Sequence, residues 1–265
     1  MINFTEIYDK YHIENPSFRN GIYSDYDARQ LYAFVREFKP KSIVDCAPRE
    51  GKTTSAIIEA IARNSSENPQ DIDYFIFEKD PQYFDEMKMY LLQKAYELKS
   101  KNVNMRIFYD RNIIKSKHIN KMNNIDFLFI DANHDYMLSA YMFENIATKV
   151  KKGGYVHVHD MYVNIENHGL EDISFKYSPQ SHPDIINPDA LKQFYPTIYD
   201  QYRLHHSIID IYEGDIVYDV IMKNNLKYFS TCQSTKDTKK YIMGNCALYL
   251  YIEDNLDVKY RRYDW

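Results

Sequence analysis

Apolar and polar positions change their period several times along the chain, and each change marks an element. From Asp25 to Phe38 the apolar residues Leu31, Phe34, Val35 and Phe38 recur at three- and four-residue spacing, which predicts a helix closed before Pro40. Ile43-Val44-Asp45-Cys46 is a short apolar strand, and Thr53 to Arg63 is helical again, with Ile57, Ile58 and Ile61 on one face. A loop of Asn, Ser and Pro, from Asn64 to Asp71, leads to a second strand at Tyr74-Phe75-Ile76-Phe77. Asp80-Pro81 is then an N-cap followed by proline at the first helical position. The helix it opens places Phe84, Met87, Leu91, Ala95 and Leu98 on one stripe.

The alternation continues with a strand from Met105 to Tyr109, a short helix near Ile113 to Ile119, and the very apolar strand Ile125 to Ile130. A continuous apolar run of that kind suits a strand covered on both faces. Asp135 to Val150 is expected to be helical, Lys152-Gly153-Gly154 a turn, and Tyr155 to His159 a fifth strand. Past Asp160 a polar and aromatic stretch to about Pro188 is too long for a plain connection and is expected to be a lid. A helix at Pro188 to His206, a helical stripe at Ile216, Val217, Val220 and Ile221, and strands at Leu226 to Cys232 and Cys246 to Ile252 complete the pattern. Five strands alternating with helices imply an α/β, doubly wound, Rossmann-like sheet that is mostly parallel with helices on both faces. The expected organisation is an N-terminal helical cap over 1–40 and one domain over 41–265, with the lid inserted at about 161–188.

Composition narrows the classes. The 265 residues include 33 basic and 38 acidic side chains, a formal charge of −5, which does not give the basic footprint of a nucleic-acid binder. Tyr (26) and Phe (14) are abundant while Gly (7) and Pro (9) are scarce, which sets disorder, collagen-like and linker-like classes aside. No apolar run is long enough to span a bilayer, and the N-terminus lacks a basic region followed by an apolar one, so a cytoplasmic protein without membrane contact is expected. Cys46, Cys232 and Cys246 are odd in number and lack C-x-x-C spacing; they read as reduced and mostly buried rather than as a disulfide or zinc framework. Tyr8, Tyr11, Tyr23, Tyr26 and Tyr32, clustered near the N-terminus, fit either an aromatic homodimer interface or a cap packed on its own domain.

In open α/β sheets ligands bind outside the carboxyl ends of the strands, and here five successive strands end on acids: Asp45, Glu78, Asp110, Asp131 and Asp160. The segment Val44 to Thr53 turns from strand to helix where a nucleotide-type ligand would meet a helix N-terminus. Only Gly51 remains of a glycine-rich fingerprint, since Ala47 and Arg49 occupy positions where glycine is expected. The turn is therefore neither a P-loop nor the G-x-G-x-x-G of a nicotinamide-dependent oxidoreductase. Glu78 stands where an acid would accept hydrogen bonds from ribose hydroxyls. No Gly-x-Ser-x-Gly elbow or Cys/His pairing supports a hydrolase.

These residues together resemble the class I S-adenosylmethionine-dependent methyltransferases, in the branch that includes macrocin-type and catechol-type O-methyltransferases. Asp45 with Pro48-Arg49-Glu50-Gly51 is similar to the first motif of the macrocin-like branch. Ile125 to Tyr136, Gly153 to Asp160 and Gly244 to Leu250 are similar to its later strand motifs, so the resemblance spans about Lys41 to Glu253. It implies a seven-stranded sheet with the last strand antiparallel. S-adenosylmethionine would lie over the first strand ends, held by Asp45, Ala47, Gly51, Thr53, Glu78, Asp110, Arg111 and Asp131.

Methyl transfer to oxygen requires an aligned acceptor and a hydroxyl made more nucleophilic. In the catechol-like enzymes two strand-end Asp residues ligate magnesium, which maps onto Asp131 and Asp160. The position of the third ligand is Met161, which cannot serve a hard cation. His134 stands where that family carries its general base, and His159 beside Asp160 is the alternative; His157, deeper in the strand, reads as structural. The expected catalytic set is therefore His134, Asp131 and His159. Tyr162, His168, Phe175, Tyr177 and His182 in the lid could stack on a ring and bond its hydroxyls. The resemblance implies O-methylation of a small hydroxylated molecule, such as a sugar or glycosylated metabolite. The missing glycines leave a second reading open, a binding or assembly protein that keeps the fold without catalysis.

Overall fold

The computed structural model describes residues 4–21, 23–66, 69–132, 136–159, 213–230 and 247–258. Helix α1 (Phe4–Tyr11) precedes α2 (Asp25–Phe38), β1 (Ser42–Cys46), α3 (Lys52–Ser65), β2 (Gln70–Phe77), α4 (Pro81–Lys99) and β3 (Val103–Asp110). Then follow β4 (Ile125–Ile130), α5 (Tyr136–Asn145), β5 (Val150–Val158), α6 (Glu213–Asn224), β6 (Lys227–Ser230) and β7 (Leu248–Tyr251). The seven strands form one sheet in the order β3-β2-β1-β4-β5-β7-β6. Neighbours from β3 to β5 pair in parallel, and β7 runs antiparallel to both β5 and β6. This is the expected doubly wound sheet, and its order reverses between β1 and β4, the switch point outside whose strand ends ligands bind in sheets of this kind.

The local chemistry explains the helix ends. Ser24 caps α2 by accepting from the Asp27 amide at 3.0 Å, and Lys39 closes it with φ 49°. Asp80 caps α4 by accepting from the Gln82 amide at 2.9 Å, ahead of Pro81. Strand periodicity sends Val44, Cys46, Leu128 and Ile130 into one apolar layer beneath α5 and α6. Ile43, Phe127, Phe129, Tyr155 and Tyr249 face the other, beneath α2, α3 and α4. Phe34 of α2 sits at the centre of that second layer, its ring 4.9 Å from Phe127, 5.1 Å from Tyr155 and 4.6 Å from Tyr249. Tyr11, Tyr23 and Tyr32 are buried within the chain, so three of the five N-terminal tyrosines are spent on its own core. Cys46 is buried and unbonded; Cys232 and Cys246 lie outside the described residues.

Three expectations about local structure need correction. No α-helix fills Ile113 to Ile119; only a single tight turn forms, at Ile119–Lys121. Asn112 Oδ1 accepts from the Ile114 and Lys115 amides at 3.0 and 3.2 Å, and Ser116 Oγ accepts from the His118 amide at 3.1 Å. Side chains thus take donors that a helix would give to its own carbonyls. Helix α5 stops at Asn145 rather than Val150, and Val150 already belongs to β5. Lys152-Gly153-Gly154 is no separate turn but an irregularity inside β5, where pairing jumps from Ile125–Val150 to Phe127–Tyr155. Gly153 there has φ +84°, and a Cβ on Gly154 would lie 2.6 Å from a Val150 methyl. The glycines serve the bulge. No helix among the described residues is long and apolar enough to cross a membrane. The lid at 161–188 and the helix at 188–206 lie outside the described residues.

Candidate functional site

The carboxyl ends of β1, β2 and β4 are tied to one another by backbone bonds. The Ala47 amide donates to Phe77 O at 2.8 Å, Glu78 to Asp110 O at 3.2 Å, Asp131 to Cys46 O at 3.3 Å and His159 to Ile130 O at 3.0 Å. Asp45, Glu78, Asp110, Asp131 and His159 therefore lie along one rim. Asp160 and His134, the remaining expected site residues, lie outside the described residues.

Asp45 projects into the layer beneath α3 and is completely buried. Thr54 and Tyr74 each donate a hydroxyl to its Oδ2 at 2.7 Å, while Oδ1 has no hydrogen-bond partner. Burial, above all, pushes its carboxyl up to about 6 against those two hydrogen bonds, and the charges of Asp131 and Glu78 push the same way. Neither Thr54 nor Tyr74 was expected from sequence as a site residue. A tyrosine inside an apolar strand needs a partner for its hydroxyl, which was the available signal. Thr53, the expected contact, is buried in the first turn of α3.

The turn from β1 to α3 holds Ala47 at φ 63°, Arg49 at φ 48° and Gly51 at φ 84°. Its left-handed shape is thus that of a glycine-rich loop, although two of the three residues carry a Cβ. A Cβ at Gly51 would in addition lie 2.2 Å from Met87 Sδ, so the end of that buried side chain would have to shift to admit it. Glu78, 4% exposed, receives the Arg49 amide on Oε2 at 2.9 Å and the Asp80 amide on Oε1 at 2.8 Å. Each carboxylate oxygen retains a lone pair for a hydroxyl donor. The first amides of α3, which directly follows this turn, have no partner within the helix. Asp110 Oδ1 accepts weakly from the Asn112 amide at 3.4 Å, and exposed Arg111 reaches Lys79 O at 3.4 Å.

On the neighbouring strand ends, His159 Nδ1 lies 3.2 Å from Asp131 Oδ1, with the imidazole 4% and the carboxylate 23% exposed. The Tyr23 ring lies 4.4 Å from that imidazole. His157, one pleat deeper, stacks on Phe129 at 4.6 Å and meets Tyr249 edge-on at 4.5 Å. Burial, and then the neighbouring His159, holds it well below the usual histidine value, so it is a neutral packing group as expected. No group of three His, Cys, Asp or Glu side chains suited to a metal ion occurs among the described residues.

Residues 48–161 match a methyltransferase domain family. No curated protein sequence gives a significant match. Among solved structures, the cofactor-bound protein Rv0187 from MTB is 12% identical, with 95% of this chain and 88% of that one covered and a TM-score of 0.50. The O-methyltransferase TomG from Streptomyces achromogenes, solved with SAM, is 13% identical over 94% of this chain and 89% of that one, TM-score 0.45. An O-methyltransferase from Bacillus cereus in complex with SAH is 14% identical over 94% and 90%, TM-score 0.45. From the turn after β1 to just past β5, the chain is similar to a methyltransferase domain, and its seven strands form a Rossmann-like sheet.

Proposed function

We propose that the protein is an S-adenosylmethionine-dependent O-methyltransferase acting on a hydroxyl of a small molecule, with sugars and glycosylated metabolites the first acceptors to try. One observation carries the reading: Asp45, completely buried and within electrostatic reach of Glu78 and Asp131 on the neighbouring strand ends, is left with an unpartnered oxygen. Such a site is relieved by a cation. S-adenosylmethionine supplies two positive centres and, when bound, a methyl group on a sulfonium that a nucleophile can displace. Asp45 would hold the cationic amino acid end, the left-handed turn and the first amides of α3 its carboxylate, and Glu78 the ribose hydroxyls.

On this reading His159 takes the acceptor hydroxyl's proton, and Asp131, which faces Nδ1 at 3.2 Å, orients the ring and stabilises the imidazolium that results. Bound S-adenosylmethionine would supply the methyl group to the hydroxyl oxygen, and His159 would hold the proton that the hydroxyl gives up, paired with Asp131. Magnesium asks for six oxygen ligands. Among the described residues Asp131 alone offers a carboxylate of the expected pair, and it already faces His159, so no step is assigned to the ion. The missing glycines that favoured a non-catalytic reading are answered by the backbone, which keeps their shape at Ala47 and Arg49.

Incubation with methyl-labelled S-adenosylmethionine and a panel of hydroxylated and glycosylated compounds tests this. Label should appear as an O-methyl group, and His159→Ala should lower kcat by roughly 10²- to 10⁴-fold with cofactor affinity intact. His134→Ala is the control: a loss of that size there, with His159→Ala fully active, moves the base to His134.

A further inference from the structure

The segment between α1 and α2 touches both halves of the site. Arg19 donates its amide to Ser55 Oγ and its Nε to Glu50 O, each at 2.9 Å. Its guanidinium lies 4.9 Å from the Tyr90 ring and 3.9 Å from Glu86. The Nε is also 3.4 Å from where a Cβ on Gly51 would stand, so Arg19 and Met87 wall the turn from outside. At Gly21 a Cβ would approach Lys52 Cβ to 3.0 Å, and Asp25 pairs with the Lys52 ammonium, whose side chain is 12% exposed. Between these anchors Tyr23, 7% exposed, lays its ring on His159 and meets Phe129 edge-on at 6.2 Å.

This is more contact than a connection needs. A turn that holds Ala47 and Arg49 at positive φ must be over-determined by its surroundings, and the bond from Arg19 to Glu50 O grips it between Arg49 and Gly51. We propose that Arg19 to Asp25 is a positioning strap joining the two half-sites, in which Arg19 sets the cofactor turn and Tyr23 sets the orientation of the His159–Asp131 pair. The proposal rests on the methyltransferase reading above.

The two contacts predict separable defects. Without its guanidinium grip the turn samples other shapes, and cofactor binding must restore the native one; without the Tyr23 ring the imidazole turns away from the acceptor. Calorimetric titration with S-adenosylmethionine, together with steady-state kinetics at saturating cofactor, is applied to the native protein, Arg19→Ala, Gly21→Ala, Tyr23→Leu and Tyr23→Phe. Arg19→Ala should weaken cofactor binding about tenfold while kcat stays near native. Gly21→Ala should weaken it in the same direction without removing a polar group. Tyr23→Leu should lower kcat about tenfold with affinity unchanged, and Tyr23→Phe, which keeps the ring, should restore it. Native-like affinity in Arg19→Ala, or parallel loss of affinity, kcat and melting temperature in every variant, would overturn the strap. Absence of cofactor binding by the native protein itself removes the methyltransferase reading, and the strap with it.

Discussion

The carboxyl of Asp45, completely buried and held up at about 6, binds its proton more tightly in the folded protein than at the usual 3.8. As pH rises from about 4 to 6 the folded state gives up a proton that the unfolded chain has already released. This group therefore costs stability progressively over that window and fully above it, by roughly 3 kcal/mol at most. Asp45→Asn should accordingly raise the unfolding free energy of the cofactor-free protein at pH 8 by roughly 1–3 kcal/mol, a few degrees of melting temperature, while abolishing cofactor binding. A variant that melts lower at pH 8 and still binds would show that the buried charge is not held for a ligand. The turn beside it makes the opposite kind of prediction. Arg49→Gly removes a left-handed side chain and should gain up to about 1 kcal/mol, whereas Gly51→Ala forces a methyl onto Met87 and should lose about 1–3 kcal/mol. Chemical denaturation of the two variants compares them, and equal effects would contradict the strain assigned to the turn.

Helix α2 is as much a part of the sheet's core as of any cap. Its Phe34 touches β4, β5 and β7 at once. Phe34→Ala should cost about 3–5 kcal/mol of unfolding free energy with an unchanged denaturant slope, and a loss below 1 kcal/mol would detach α2 from the core. That helix was legible in the sequence because its apolar positions keep strict helical spacing, and β4 because its apolar run is unbroken. The short segment after β3 was not, since Asn112 and Ser116 bind backbone amides locally and no apolar count registers such bonds. Gly153-Gly154 has the composition of a turn, and only pairing with β4 distinguishes a bulge within a strand. At the site, period and strand-end position picked out Asp45, Glu78, Asp110 and Asp131, together with Asp160 outside the described residues, while His159 came from the family resemblance. Their partners, Thr54 and Tyr74 on Asp45 and Tyr23 on His159, lie 9 to 136 residues away, a relation a linear pattern does not carry.

Across the whole molecule, the fold gathers Asp45, Glu78 and Asp131 on one rim and runs the N-terminal segment past it, against the β1–α3 turn at Glu50 and against His159. Asp45 at the end of β1, buried near Glu78 and Asp131, carries an electrostatic cost when ionised, and on the proposed reading a cationic cofactor would convert that cost into affinity. Binding should then be linked to Asp45 ionisation, because a bound cation returns its carboxyl toward the ordinary carboxylate range and releases a proton. The direct measurement is calorimetric titration of the native protein with S-adenosylmethionine at pH 5 and at pH 7.5. The account predicts one-to-one binding that is about tenfold weaker at pH 5, with proton release on binding at the lower pH. Absence of binding at millimolar cofactor at both values, or an affinity that does not fall as the solution is acidified, would contradict it.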